Sequence, residues 1–283
     1  AAAPAVAQTP ERKTTPSVAP AKATQAQPFV NSLDMKFVPV PGTQVLFCIH
    51  ETRRRDYTAY AAEAGDLARH WENPKESGFM PAGLIEDHPV SRVNWDEAQG
   101  FCSWLSKKEG RNYRLPTDRE WSIAVGLGKY EKWDQDTTPA TVIKLPDEFP
   151  WGSPWPPPSG SGNYSDASRK AQAPSADRSY IDGYDDGFPT TALVMSFKPN
   201  PFGLYDLGGN VLEWCEDWFD STKTHRVLRG GNWSSESQLS LRSSARHHIL
   251  PTSRGTTGFR CVLETGTVMP EGGPVIPRPS SAE

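Results

Sequence analysis

Cysteine, excess positive charge and long apolar runs are all scarce in this sequence. Its 283 residues include only four cysteines, and no two of them form a C-x-x-C pair, which disfavours a zinc site. The formal net charge of −4 argues against a general DNA- or RNA-binding surface. No stretch approaches the roughly 18 consecutive apolar residues of a membrane-spanning helix, so no transmembrane segment is predicted.

The common short catalytic motifs are missing as well. The chain has no G-x-S-x-G, G-x-x-x-x-G-K-S/T or H-E-x-x-H sequence. A hydrolase nucleophile, a phosphate-binding loop and a zinc protease site therefore lack support. His247 and His248 are neighbours in a predicted loop, and adjacent side chains point in diverging directions, which disfavours a metal ion shared between them.

Tryptophan, glycine and proline are abundant instead, with 10, 23 and 27 residues. They indicate a core of large aromatic side chains whose elements are joined by many turns, and they disfavour a long helical bundle or a doubly wound sheet. Capping boxes at Asn94 and Thr117 predict helices that end before Gly110 and Gly126. A third helix is predicted over 56–64, and strands over 36–40, 44–49, 226–229 and 258–263. Residues 130–200 show no sustained periodicity and are predicted to be loop.

Composition also divides the chain into three parts. We predict a disordered Ala/Pro-rich linker over residues 1–28, one globular domain over 29–265 and a disordered Pro/Gly/Ser tail over 266–283. The linker suggests that the domain is tethered to a larger protein.

Acidic and amide side chains cluster in two places. The first cluster comprises Asn163, Asp166, Asp182, Asp185 and Asp186, and the second comprises Asp206, Asn210 and Glu213. Such oxygens, interleaved with glycines that let backbone carbonyls turn inward, are the ligands that Ca²⁺ prefers, at roughly 6–8 per ion. Solvated acidic turns are the alternative, and neither cluster has the spacing of an EF-hand.

Five motifs occur in the order found in a known family. They are HPVSRVNWDEAQGFCSWL at 88–105, YRLPTDREW at 113–121, FGLYDLGGNVLEWCEDW at 202–218, RVLRGGNW at 226–233 and GFRC at 258–261. Over roughly residues 32 to 264 the sequence resembles the formylglycine-generating enzyme, or sulfatase-modifying factor, family. The resemblance implies a low-regularity α+β fold related to C-type lectins, with structural calcium bound in loops. It places one calcium ion at Asn163, Tyr164, Asp186 and Phe188, and part of a second site at Asn210, Val211 and Glu213.

The resemblance breaks at the reaction centre. Family members that oxidise a sulfatase cysteine to formylglycine resemble one another in carrying two copper-binding cysteines soon after the R-G-G strand. Ser235 and Ser240 stand at the corresponding positions here, and a serine hydroxyl is a hard, weak ligand for Cu(I). We therefore expect no copper. A non-catalytic binding module is the preferred interpretation, and a formylglycine-generating oxidase is the alternative.

The binding interpretation predicts a ligand-binding face in the interval between the R-G-G-N-W and G-F-R motifs. Its expected members are Asn232, Trp233, Ser235, Glu236, Ser237, Gln238, Arg246, His247, His248 and Thr252. The interval resembles the mutable segment in the variable proteins of diversity-generating retroelements. The partner would be a protein, a peptide or a glycan, not a nucleic acid. The tether favours a bacterial protein in an extracytoplasmic or surface-associated location.

The resemblance also implies a disulfide between Cys102 and Cys261, because the corresponding pair looks bridged in secreted members of the family. Cys102 lies on the apolar face of the helix after Asn94 and Cys261 lies in the last predicted strand, so both are expected to point into one core. In a reducing compartment the two thiols would remain an apolar contact. Cys48 and Cys215 are predicted to be free.

Overall fold

A computed structural model describes residues 18–65, 69–72, 85–143, 148–172 and 179–266. Residues 1–17 of the predicted linker and 267–283 of the predicted tail lie outside the described residues, and 18–28 include a 3₁₀ helix at Pro20–Lys22. The α-helices are α1 (Arg54–Ala64), α2 (Trp95–Glu109), α3 (Asp118–Ala124), α4 (Ala167–Gln172) and α5 (Gln238–Leu241). No helix in the described ranges is long and apolar enough to cross a bilayer.

The capping signals place α2 and α3 as predicted. Asn94 accepts a hydrogen bond from Glu97 N at 2.9 Å, and the Glu97 carboxylate accepts one from Asn94 N at 2.8 Å. Thr117 and Glu120 form the same reciprocal pair at the start of α3. Two backbone N–H groups of each first turn are thereby satisfied, which fixes where each helix begins.

Helix α1 begins two residues earlier than the predicted 56–64. Asp56 is not its first residue but its capping partner, since the Asp56 carboxylate accepts hydrogen bonds from Arg53 N at 3.0 Å and Arg53 Nε at 2.8 Å. The Arg53–Asp56 pair is buried, so this end of the helix is fixed by an ion pair as well as by backbone geometry.

Nine short strands form two sheets in the described part of the chain. The strands are β1 (Phe29–Val30), β2 (Lys36–Pro39), β3 (Val45–Cys48), β4 (Tyr113–Arg114), β5 (Leu212–Trp218), β6 (Arg226–Arg229), β7 (His247–Ile249), β8 (Thr257–Gly258) and β9 (Val262–Glu264). The first sheet has the order β1-β2-β3-β9-β4 and the second β7-β6-β5-β8. All pairings are antiparallel except β5 with β8.

Three sequence-based assignments need correction. The strand predicted over 258–263 is two strands, because β8 joins the second sheet while β9 lies inside the first. Strand β5 was not predicted. The loop expected at His247 and His248 is strand β7, which pairs with β6 along its length. Each short strand owes its place to long-range pairing, which local sequence patterns do not report.

The core consists of three clusters. One packs α1 and α2 against the first sheet, with Phe101 stacking near Tyr57 and Phe259. A second joins the two sheets and α3 around Trp121 and Val227. The third contains Phe149, Tyr164, Ile181, Tyr184 and Leu241. It joins the described parts of the segment 130–200, in which the only described helix is α4, to α5 by aromatic packing.

Candidate functional site

The first predicted calcium cluster is brought together by the carboxylate of Asp186. Its Oδ2 atom accepts a hydrogen bond from Tyr164 N at 2.8 Å, and its Oδ1 atom accepts one from Phe188 N at 2.7 Å. Burial raises the pKa of Asp186 to about 8, because a charged carboxylate is poorly solvated there. A cation beside this group would offset that desolvation.

Asn163 supplies the second observation at this cluster. Its side-chain nitrogen donates to Thr190 O at 2.7 Å and to Asn210 Oδ1 at 3.2 Å. Its Oδ1 atom is buried and has no hydrogen-bond partner among the described residues. A buried amide oxygen without a partner, on the residue before Tyr164, whose N–H binds the Asp186 carboxylate, fits a hard cation. The contact with Asn210 links the first cluster to the second.

The second cluster centres on Glu51, which sequence analysis missed. The Glu51 carboxylate accepts hydrogen bonds from Asn210 Nδ2 at 2.7 Å and from Val211 N at 3.1 Å. Burial raises the pKa of Glu51, and the carboxylates of Asp206 and Glu213 raise it further. Glu51 lies 159 residues from Asn210 along the chain, so no local pattern connects the two.

Asp206 and Glu213 differ in their suitability as cation ligands. Burial raises the pKa of Asp206 to about 6, and its Oδ1 atom finds no hydrogen-bond partner in the described residues. Both oxygens of Glu213, in contrast, are used by protein donors, Arg260 and Trp121. A buried guanidinium already neutralises the Glu213 side chain, and the place of Glu213 in the second calcium site stays a prediction.

Metal binding at these clusters would rely on mixed ligands. In the ranges that the structure describes, no three Cys, His, Asp or Glu side chains converge on one point where they could hold a metal ion. Any calcium ion would need amide and backbone oxygens beside one or two carboxylates. Asn163 and Asp186, with the carbonyl groups of Tyr164 and Phe188, fit this requirement best.

The predicted ligand-binding face starts at a buried turn. Asn232 Oδ1 accepts hydrogen bonds from Ser234 N and Ser234 Oγ, both at 2.8 Å, and Asn232 Nδ2 donates to Thr256 Oγ1. Ser235 Oγ accepts from Asn232 N at 3.1 Å. The Ser240 hydroxyl donates to Ser237 O at 2.8 Å. Asn232, Ser235 and Ser240 thus shape the loop, and their polar groups are engaged within it.

Arg246 does not belong to the exposed part of this face. It is buried with two carboxylates, Asp118 at 2.9 Å and Glu131 at 2.8 Å, and none of the three side chains is exposed. Asp118 also pairs with Arg229, which is equally buried. One carboxylate therefore holds Arg229 and Arg246, the residues that bracket the segment 230–245. Our expectation that Arg246 contacts a ligand is corrected for this reason.

The remaining predicted residues form an accessible surface, which we call the loop face, over 233–241 and 247–252. Ser237, Gln238, His248 and Thr252 are exposed, while Trp233, Glu236 and His247 are partly exposed. Two apolar side chains that the predicted set omitted stand out, Leu239 at 67% and Leu250 at 48% exposure. Trp233 is held at its inner side by the Arg169 guanidinium, 4.6 Å from the ring centre.

Comparison with known proteins identifies the family. The sequence-family model described as "Sulfatase-modifying factor enzyme 1-like domain" matches residues 8–265. The chain belongs to the sulfatase-modifying factor family. The five motifs and the α+β fold expected from the sequence are thereby confirmed.

The curated relatives of this sulfatase-modifying factor domain are longer than the matched region. A formylglycine-generating enzyme from Streptomyces coelicolor is 30% identical over 213 residues, which are 68% of this chain and 57% of that protein. A serine/threonine-protein kinase, pkn1, from Chlamydia pneumoniae is 32% identical over 192 residues, which are 62% of this chain and 24% of the kinase. The chain thus spans little more than half of one relative and a quarter of the other.

Solved structures agree on the fold. Treponema denticola variable protein 1 superposes with a TM-score of 0.52 at 21% identity, covering 82% of this chain and 95% of that one. At this level of identity the likeness establishes the shared sulfatase-modifying factor architecture.

The four cysteines of this sulfatase-modifying factor domain are all buried thiols. The Sγ atoms of Cys102 and Cys261 are 3.5 Å apart, so the predicted pair is in contact. Burial raises the pKa of Cys48 to about 12 and raises those of Cys215 and Cys261 as well. These three groups are therefore protonated near neutral pH.

Proposed function

We propose that this domain is a non-catalytic module that binds a protein, peptide or glycan through its loop face. The observation that carries the proposal is the state of the sulfur groups. No cysteine lies between Cys215 and Cys261, and Ser235 and Ser240 use their hydroxyl groups in loop hydrogen bonds. The oxidase reaction that the family resemblance implies needs an accessible cysteine pair, and the four cysteines of this chain are all buried.

Exposed apolar area on the loop face supports recognition as its use. Leu239 and Leu250 present large side chains to solvent, and contacts of this kind gain free energy when a partner removes them from water. Exposed polar side chains of the same face, including Gln238 and Thr252, offer hydrogen bonds that would orient a bound ligand. Serines at the positions expected for the copper-binding cysteines, together with two exposed leucines on the loop face, support binding over catalysis.

A finer version of the proposal is that the loop face is diversified by a retroelement. The likeness in fold to a protein named as a variable protein supports it. The test is in the DNA. A downstream near-repeat of the sequence encoding 232–252 that differs at adenines is expected, and its absence from the gene's neighbourhood would remove this version while leaving the binding module intact.

We further propose that at least one structural Ca²⁺ binds, held by Asn163 and Asp186 with the carbonyl oxygens of Tyr164 and Phe188. When bound, the ion would neutralise the buried carboxylate and hold two distant parts of the long irregular segment together. The orphan Asn163 Oδ1 atom supports it, and no chemical step depends on it.

The domain is also proposed to work as part of a larger, extracytoplasmic or surface-associated bacterial protein. The matched kinase, of which the aligned region is 24%, supports the view that such domains occur attached to other units. We expect an antibody against this chain to detect it in a cell-surface fraction and not in the cytosol.

Two assays separate the binding module from the alternative oxidase. In the first, copper-loaded protein is incubated with a peptide that carries the sulfatase cysteine motif, and conversion to formylglycine is followed by mass spectrometry. The Streptomyces relative serves as the active control. We expect no conversion above background, and turnover by this chain would overturn the proposal.

In the second assay, binding to arrays of peptides, glycans and surface proteins is compared between the native chain and two variants. Leu239→Asp places a charge on the loop face and is expected to abolish binding to any hit. Ile143→Asp is the matched control, because Ile143 is an apolar side chain of similar exposure, 70%, elsewhere on the surface. Equal loss in both variants would show that the hit does not use the loop face.

A further inference from the structure

Two histidines from neighbouring strands lie side by side at the edge of the second sheet. His225 precedes β6, and His248 is in the middle of β7, opposite Val227. Because side chains alternate along a strand, His225 and Val227 share a face, and His248 lies diagonally across from His225 on it. The two ring centres are 5.4 Å apart and the rings are inclined by 35°.

This separation suits a shared metal ion. A metal bound to an imidazole nitrogen at about 2.0–2.1 Å lies about 3.2 Å from the ring centre. When one nitrogen of each ring faces the ion, two ring centres 5.4 Å apart subtend an angle of about 115° at it, close to the tetrahedral value of about 109°. The adjacent pair His247 and His248 lacks this relation, since His247 is on the other face and its Nε2 atom lies 3.1 Å from Ser240 O.

The surroundings favour a cation at this position. His248 is exposed and packs edge to face with Phe219, the two ring centres being 3.8 Å apart. The Asp220 carboxylate lies close enough to interact with both histidines, and it accepts two hydrogen bonds from Thr222. No third side chain completes a three-ligand set within the described ranges.

We propose that His225 and His248 form a surface site for a divalent transition ion of the Cu²⁺ or Zn²⁺ class. Neutral imidazole binds these borderline ions well, whereas Ca²⁺ requires oxygen ligands, so the site is chemically distinct from the proposed calcium site. Two protein ligands leave at least two positions of a tetrahedral ion open to water or to a donor side chain of a partner. The proposal does not depend on the function of the loop face.

The test is isothermal titration of the tag-free protein with Zn²⁺ and with Cu²⁺ at pH 7.5, in the presence of saturating Ca²⁺. We expect one ion per chain, bound more tightly than about 100 µM, with Cu²⁺ binding more tightly than Zn²⁺. His225→Gln and His248→Gln should each weaken binding at least tenfold, because loss of an outer-sphere partner alone costs about 10–100-fold. His247→Gln, on the same strand but the other face, is the control and should bind as the native chain does.

Each contrary outcome is decisive. Failure of the native chain to bind either ion at 100 µM would overturn the proposal. So would retained affinity in either single variant, or an equal loss in His247→Gln. Circular dichroism and thermal melting of every variant ensure that a change in affinity is measured on folded protein. The variant His225→Gln also leaves the packing of His248 against Phe219 intact.

Discussion

Removing the Asp118 carboxylate should destabilise the domain strongly. Asp118 pairs with Arg229 and Arg246, and all three side chains are fully buried. In Asp118→Ala, Arg246 keeps Glu131, but Arg229 keeps only neutral partners, the Ser122 hydroxyl at 3.0 Å and Ser243 O at 2.8 Å. Burial already lowers the pKa of Arg229, so an unpaired charge there is costly.

The expected loss of stability follows from removing one partner of a buried ion pair. Such changes cost about 3–5 kcal/mol, because an uncompensated charge remains in the interior. A domain of about 150–250 residues loses about 2–4 °C per kcal/mol, so the melting temperature should fall by about 6–20 °C. Urea unfolding, with its midpoint and slope fitted together, gives the free energy of unfolding independently.

Glu63→Ala provides the control for this measurement. It removes a carboxylate paired with Lys108 at the surface, where 52% of the Glu63 side chain is exposed and solvent screens the interaction. Its midpoint should stay close to that of the native chain. If Asp118→Ala fails to fold, Asp118→Asn keeps a hydrogen-bond acceptor and allows the comparison. A loss below about 1 kcal/mol for either Asp118 variant would refute the reasoning.

Three further predictions concern the ion and the thiols. EDTA should lower the melting temperature of the calcium-loaded protein, since a ligand bound to the native state stabilises it by mass action; an unchanged melting curve would count against a tightly bound ion. Without calcium, stability should fall as pH rises from about 4 to about 8, because burial raises the pKa of Asp186 from 3.8 to about 8 and the folded state holds the proton over this range while the unfolded state has lost it. The same titration of Asp186→Asn should be flatter, and an identical slope would show that another group is responsible. Peptide mapping of protein from its native compartment without reductant should recover Cys102 linked to Cys261, and recovery of both as separate thiols there would exclude the bridge.

The elements that the sequence predicts well are those fixed within a few residues. Asn94 and Glu97 are three positions apart and satisfy each other's backbone groups, so α2 could be placed from local chemistry alone. Strand β7 has no such signal, because its three residues become a strand only by pairing with β6. Local chemistry therefore locates helix ends here, while tertiary pairing decides the short strands.

Some residues of the candidate site could likewise be predicted from the sequence, whereas others are revealed only by tertiary contacts. Asn163 and Asp186 could be proposed from composition and from the family resemblance. Glu51, which follows the central strand of the first sheet, bonds Asn210 from 159 residues away, and Arg246 was misplaced because its partners Asp118 and Glu131 are more than 100 residues away. A lone arginine in a loop has the same local sequence whether it faces a ligand or a buried carboxylate.

The positions of β8 and β9 bear on how the domain is made. These last two strands complete both sheets, since β8 joins the second sheet beside β5 while β9 is inserted between β3 and β4 in the first. Leu46 of β3 pairs with Pro39 of β2 on one side, but its partner on the other side is Leu263 of β9. The second sheet therefore requires the chain through Gly258 and the first sheet requires it through Glu264. Pairing between strands so far apart in sequence raises the contact order, and a high contact order slows folding.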